Sequence, residues 1–512
     1  MLVHHFLEQS AAEWPEKVAL VCGGQRLTYL EINLMANRLA NGLREQGIRQ
    51  GDRVGIYLGN TVETVIGIFA VLKAGGVFVI INPTTKLEKL LVILNNCRAT
   101  GLITSWSAAT QPDIASALLT SRLKFVLCAG PSTEMASVPR KLTILDFDSI
   151  RRDNSAEQHS LVSTERDLAC LIYTSGTTGE PKGVMCGHNN IVFAATAIVQ
   201  YLRNTHQDIV MNVLPLSFTY GLYQLLTMCQ VGGTLILEES LAYPGAVLNQ
   251  MQAEGVTGFP GVPTIFAMLL RLDFRAFDLS TLRYLTNAAA GLPTEHVLEI
   301  RRRLPRVAFY SMYGQTETAR TLYLPPEWID RKPESVGIPI PGTEVWIEDE
   351  SGNRPEPGQI GELVVRGKHV MRGYWEATEA TFERFRPGPL PREVRCYTGD
   401  LFRQDTDGFF YFVSRKDDII KCKGQKVAPK EIEDVLHQVN GVIHAAVVGV
   451  PDPIFGQAIK AVLVVEDGVL SAKEVQAYCR AHLEDFMVPK YVEVRPVLPM
   501  TTSGKIKKRE LV

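Results

Sequence analysis

The segment YTSGTTGEPKGV, Tyr173 to Val184, concentrates groups that bind anions. Glycines such as Gly176 and Gly179 let a backbone turn so that consecutive N–H groups face one point, and the hydroxyls of Thr174, Ser175, Thr177 and Thr178 add donors. Lys182 supplies a mobile positive charge suited to outer phosphates. A flexible surface loop would share this composition. Here, however, the run follows directly on the apolar, strand-like Leu168–Ile172 and precedes a helix expected near Asn190. The spacing is not that of a Walker A loop, because Pro181 stands where the second glycine, which precedes the lysine, would be needed. No GxGxxG opens the first helix either, so the ordinary P-loop and dinucleotide classes are both disfavoured.

Three further segments narrow the chemistry: SMYGQTETA with Tyr313, Gly314, Thr316 and Glu317; CYTGDLF with Thr398, Gly399 and Asp400; and PMTTSGKIKKREL with Lys505. Together with the phosphate loop, and in this order, they closely resemble the adenylate-forming superfamily of acyl- and aryl-CoA ligases, peptide-synthetase adenylation domains and luciferases. The resemblance runs from about Leu27 to the C-terminus. It implies an AMP-forming ligase that activates a carboxylic acid with ATP and Mg²⁺ and passes the acyl group to an acceptor. By the same resemblance Tyr313 would stack on adenine, with Ala289, Ala290 and Gly291 beside it, and Thr316 would contact the α-phosphate. Glu317 would hold Mg²⁺, an ion content with one or two carboxylates. Asp400, acceptor-only when ionised, would bind the ribose hydroxyls together with Arg415. Lys505 is the expected catalytic residue of adenylation, bridging two anions whose repulsion grows as water is excluded.

The resemblance also implies a small domain that rotates between half-reactions about Asp417, bringing Lys423 and Gly424 to line a thiol tunnel. Asp417 and Asp418 are adjacent, and neighbours on a strand point to opposite faces, which favours a hinge over a carboxylate dyad. In LPLSFTYGL, Phe218 falls at the family's aromatic gate, and Thr219 stands where amino-acid-activating members carry an aspartate. A buried ammonium without counter-charge is costly, so the acid is expected to lack an α-amino group. Tyr220, Gly221, Phe259 and Gln315 complete the expected acyl pocket. Apolar Phe259 and the small Ala288–Ala290 suggest an uncharged tail. VAPKEIE and KxKG resemble the CoA ligases, so coenzyme A is the expected acceptor. A carrier-protein phosphopantetheine is the competing acceptor and an amine a further one, while a luciferase-like oxygenase and a non-catalytic partner-binding relative are remote alternatives.

The elements positioning these residues alternate. Thr28 and Glu31 have capping-box spacing before Ile32, Met35, Leu39 and Leu43, and strand-like Val54–Leu58, helical Val62–Lys73 and strand-like Val77–Ile81 follow. This order reads as α/β: a large N-terminal domain of doubly wound sheets, residues 1–414, closed by a β-rich stretch from Glu344. Residues 415–512 read as a small mobile α+β domain, with helices at Pro429–Gln438 and Ala472–Leu483 and strands at His444–Val450, Ala458–Val465 and Tyr491–Val497. At 512 residues two or more domains are expected. A net charge of -2 offers no bulk attraction to nucleic acid. Nine cysteines without a CxxC pair suit free thiols in a reducing compartment. No signal peptide or apolar run long enough to span a bilayer is evident, so the expected location is the cytoplasm.

Overall fold

The computed structural model describes residues 1–120, 122–131, 142–159, 162–175, 181–390, 393–422, 425–452, 456–466, 470–501 and 505–512. Thr28 Oγ1 accepts from the Glu31 amide at 3.2 Å while Glu31 Oε2 accepts from the Thr28 amide at 2.8 Å, and this reciprocal cap starts the helix Tyr29–Glu45. The next helix, Val62–Lys73, begins at Thr61, whose hydroxyl takes the Thr64 amide. Apart from Glu63 it is buried on every side, as expected of a helix that is apolar all round. Its last residue, Lys73, meets Glu8 of the first helix at 2.5 Å.

Among the described residues the strands form four sheets. A nine-stranded sheet runs Ile338–Pro339, Leu322–Tyr323, Ala308–Tyr313, Tyr284–Asn287, Gly258–Gly261, Ile209–Asn212, Thr234–Leu237, Val18–Cys22 and Gln25–Thr28. Its centre is parallel and its margins antiparallel. A seven-stranded sheet carries Arg53–Tyr57 and Val77–Ile80 at its middle and ends on Leu168–Ser175 and Pro181–Gly187. One continuous apolar core, including Phe69, Phe78, Phe259 and Phe309, joins the two sheets. The β-rich stretch after Glu344 forms a five-stranded antiparallel sheet, and residues from Ile420 onward form a five-stranded mixed sheet, whose strand Tyr491–Val494 pairs parallel, with apolar clusters on both faces. The fold is therefore a large α/β domain and a smaller α+β one.

Several local expectations change. On the far side of residues 176–180, Pro181–Gly187 is a strand that pairs antiparallel with Leu168–Ser175, and the helix His188–Leu202 starts only after it. Asp417 and Asp418 lie in a single 3-10 turn, Lys416–Asp418, so the opposite-face argument does not apply to them. The final strand stops at Val494, just before Arg495 and Pro496, a residue with no amide hydrogen for a ladder. All nine cysteines are free and buried. Among the described residues no helix is long and apolar enough to cross a membrane.

Candidate active site

Parallel sheets of alternating connection leave a crevice beyond the carboxyl ends of their strands. In the nine-stranded sheet those ends deliver Tyr313 from Ala308–Tyr313 and the Asn287–Gly291 turn from Tyr284–Asn287. Ala289 adopts a φ of 74°, a left-handed conformation uncommon for a residue with a Cβ. The side-chain amide of Asn287 donates to the Ala290 carbonyl at 3.1 Å and ties the turn down. Ala290 and Gly291 are exposed, and Lys430 of the small domain lies close to Gly291.

Asp400 is the polar centre. Tyr313 donates its hydroxyl to Oδ2 at 2.6 Å, Arg415 Nε donates to Oδ1 at 3.3 Å, and the Asp400 amide donates to Thr398 Oγ1 at 3.2 Å. Gln315 Nε2 in turn reaches the Tyr313 hydroxyl at 3.1 Å. Burial lifts the Asp400 carboxyl above its usual 3.8, although Arg415, Tyr313, Arg384 and Lys505 all pull it down. A carboxylate offers about four lone-pair sites, so each Asp400 oxygen keeps acceptor capacity beyond its present partner.

Glu317, almost fully buried, accepts the Tyr374 hydroxyl at 2.6 Å on Oε1. The same Tyr374 ring lies under Lys182, whose Nζ is 5.5 Å from its centroid. Tyr374 thus joins the Glu317 segment to the strand Pro181–Gly187. Its phenol is pushed up by burial first and by the Glu317 charge second. Thr316 is half-buried beside Glu317.

Lys505, nearly at the end of the chain, comes back to this cluster. It keeps accessible surface, yet the surrounding protein desolvates its ammonium and lowers its pKa; Arg415 adds to the fall, and Asp400 and Glu317 oppose it. Its backbone is closed onto Thr501, with the Thr501 amide donating to the Lys505 carbonyl at 2.7 Å and the Lys505 amide to Thr501 Oγ1 at 3.0 Å. Tyr313, Glu317, Asp400, Arg415 and Lys505 are therefore brought into one electrostatic neighbourhood.

The remaining expected residues divide. Phe218 caps the helix Thr219–Val231, where Phe218 and Thr219 are half-buried and Tyr220 and Gly221 buried. Phe259 is wholly covered within the core. Thr174 pairs with Lys182 across the two antiparallel strands. Gly176, Thr177, Thr178, Gly179, Lys423 and Gly424 lie outside the described residues, as does the side chain of Ser175. Sequence reasoning missed Tyr374, which is 57 positions from Glu317, and Arg384, which bonds the Thr398 carbonyl. No spacing signal links either to its partner. It also missed Arg320, three residues beyond Glu317 and buried.

Comparison with known proteins bears on the family and the fold. Residues 7–375 match the family described as AMP-binding enzyme, and residues 431–505 match the AMP-binding enzyme C-terminal domain. The chain belongs to the AMP-binding enzyme family. As an AMP-binding enzyme it is an adenylate-forming ligase in the broad sense. It is 31% identical to a long-chain-fatty-acid–CoA ligase of Bacillus subtilis (strain 168), over 99% of this chain and 93% of that one. It is 36% identical to a feruloyl-CoA synthase of an Amycolatopsis species, over 97% and 96% respectively. Among solved structures, ATP-bound MatB from Rhodopseudomonas palustris superposes with a TM-score of 0.88 at 27% identity, covering 100% of this chain and 98% of that one. The anthranilate CoA ligase AuaEII in complex with anthranoyl-AMP superposes with a TM-score of 0.91 at 27% identity, covering 100% and 96%.

Proposed function

We propose that this AMP-binding enzyme activates a carboxylic acid lacking an α-amino group with Mg²⁺-ATP and transfers the acyl group to the thiol of coenzyme A. The observation that carries the reading is the return of Lys505 to the charge neighbourhood of Asp400, Arg415 and Glu317. A desolvated ammonium with one cationic neighbour, Arg415, and two anionic ones, Asp400 and Glu317, is stabilised by any further anion, and the reaction supplies two. In the first step a carboxylate oxygen of the acid forms a bond to the α-phosphorus of ATP, and the bond to pyrophosphate breaks. Lys505 holds the two anions together and offsets the charge that builds between them. Asp400 accepts the ribose hydroxyls on its spare lone pairs, with Arg415 beside it, and Tyr313 covers the adenine against Ala289–Gly291. Thr174, Lys182 and Thr316 take the phosphates, with Ser175, Gly176, Thr177, Thr178 and Gly179 in the same role.

Glu317 fits a Mg²⁺ site, since Tyr374 holds one of its oxygens in place and the other has no partner among the described residues. The ion, when bound, offsets negative charge on the phosphate oxygens. In the second step the thiol sulfur attacks the acyl carbon and AMP leaves. For this the small domain, residues 415–512, pivots at Asp417, withdrawing Lys505 and presenting Lys423 and Gly424. The CoA acceptor is supported by relatives that are themselves described as CoA ligases and synthases.

The test is acid-dependent ATP–pyrophosphate exchange without coenzyme A, followed by thioester formation with it. Exchange is expected with non-amino acids, and Lys505→Ala is expected to lose most of it while still binding ATP. Near-normal exchange in Lys505→Ala would overturn the assignment of that residue. Exchange with amino acids alone would refute the argument from Thr219.

A further inference from the structure

Arg320 is 4% exposed, and its guanidinium lies over the Tyr220 ring, with Cζ 4.2 Å from the centroid. The guanidinium hydrogen-bonds the Tyr201 hydroxyl, but among the described residues its Nε has no partner. Among the described residues no carboxylate stands within ion-pair distance of it. Glu317, the closest acid along the chain, is turned to Tyr374. An arginine stays protonated throughout the pH range of a folded protein, and a buried charge without a counter-ion is costly. Cation–π contact with Tyr220 offsets part of that cost but cannot neutralise the charge.

The surroundings are polar and also incomplete. The Tyr220 hydroxyl is committed to Thr286, at 2.6 Å from Oγ1. Among the described residues the Tyr223 hydroxyl, one turn further along the same helix, is buried without a partner, and so are Ser217 Oγ and Asn287 Oδ1. These atoms belong to the helix Thr219–Val231, the residue just before its aromatic cap, and the strand end leading to Ala289–Gly291. They are the same three segments from which the acyl pocket is expected to be built. The guanidinium can only donate and the Tyr223 hydroxyl can donate as well as accept, so an acceptor would satisfy both, and a negative one would also neutralise the cation. A planar carboxylate matches the guanidinium fork.

We propose that Arg320 reads a second carboxylate on the substrate, so that the acid is a dicarboxylic acid activated at one end and held by Arg320 at the other. This rests on the adenylation reading above and replaces the uncharged tail expected from Phe259, whose ring is covered by the core. Arg320 is then a specificity-determining residue, with no part in the chemistry at phosphorus.

The experiment is ATP–pyrophosphate exchange by the full chain with the aliphatic diacids from succinate to suberate, each beside the monoacid of equal carbon number, and with phthalate beside benzoate. At least one diacid is expected to exceed its monoacid in kcat/KM by ~10-fold or more, the scale of a lost charged hydrogen bond. Arg320→Met should abolish that preference mainly through the diacid KM, with ATP affinity unchanged, and Arg320→Lys should restore part of it. The wild-type ratio decides even if Arg320→Met fails to fold. Monoacids preferred throughout would overturn the proposal and leave adenylation standing. No exchange with any acid, from protein that binds ATP, would overturn the adenylation reading and this proposal with it.

Discussion

Replacing Tyr374 with phenylalanine removes one oxygen and nothing else from the ring beneath Lys182. That oxygen donates to Glu317 Oε1 at 2.6 Å, a charge-assisted bond in a nearly closed environment. Hydrogen bonds to charged groups contribute about 1.5–3 kcal/mol, and each 1.36 kcal/mol is tenfold in rate. If Glu317 serves the metal only when held in this orientation, Tyr374→Phe lowers kcat/KM for pyrophosphate exchange by roughly 10- to 100-fold. Part of the loss should be recovered by raising Mg²⁺, because a loosened carboxylate weakens metal affinity before it weakens chemistry. The assay is exchange rate against Mg²⁺ at saturating ATP and acid, with urea unfolding as a control for the freed, unsatisfied Glu317 oxygen. A variant within twofold of the parent, with an unshifted Mg²⁺ half-saturation, would mean that Tyr374 does not position Glu317.

Acid should loosen the protein through a histidine group where the two domains meet. His437 is held down to about 4 from 6.5 by burial first and then by His296, His444 and Lys430; His444 is lowered by burial, His296 and Arg271, and His296 by burial. Above pH 6.5 these rings are neutral folded or unfolded and have no effect on stability. As pH falls from there towards about 4, the unfolded chain takes up protons that the folded one refuses, so stability falls. The urea midpoint should drop over that window, less steeply in His296→Gln; a flat profile in the parent would refute the cause. Lys73→Met should leave the Glu8 carboxylate without its 2.5 Å partner and cost about 3 kcal/mol by urea unfolding, with Glu8→Gln added to Lys73→Met restoring much of it. Parent-like stability in the single variant would show that the pair contributes little.

What could be read from the sequence was what is encoded locally. The Thr28–Glu31 cap is a three-residue pattern, and the helix Val62–Lys73 is an apolar run bounded by a threonine and two glycines. The Pro181–Gly187 strand was missed because its proline and glycines favour a loop, and only pairing with Leu168–Ser175 makes it extended. The last strand was overextended because the apolar pattern continues through Pro496, while the ladder cannot. In the site, Tyr313, Glu317, Asp400 and Lys505 stand in recognisable motifs. Tyr374 and Arg320 are defined by what they touch across the fold, and neither contact leaves a trace in local spacing.

The pairs that reach across from the small domain have a consequence for how its position is maintained. Lys426 meets Glu350 at 2.7 Å, and both side chains are largely exposed. Lys416 meets Glu362 at 3.1 Å from a mostly exposed position. Exposed pairs of this kind contribute about 0–1 kcal/mol each and are screened over roughly 8 Å at physiological ionic strength. If the small domain pivots as proposed, such contacts act less as a latch than as a weak magnet, guiding it home without keeping it there. A nucleotide touching Asp400 on one side and Lys505 on the other would then be the fastener itself. The enzyme's shape in solution should track its ligand more closely than its own surface, and rising salt should widen the difference.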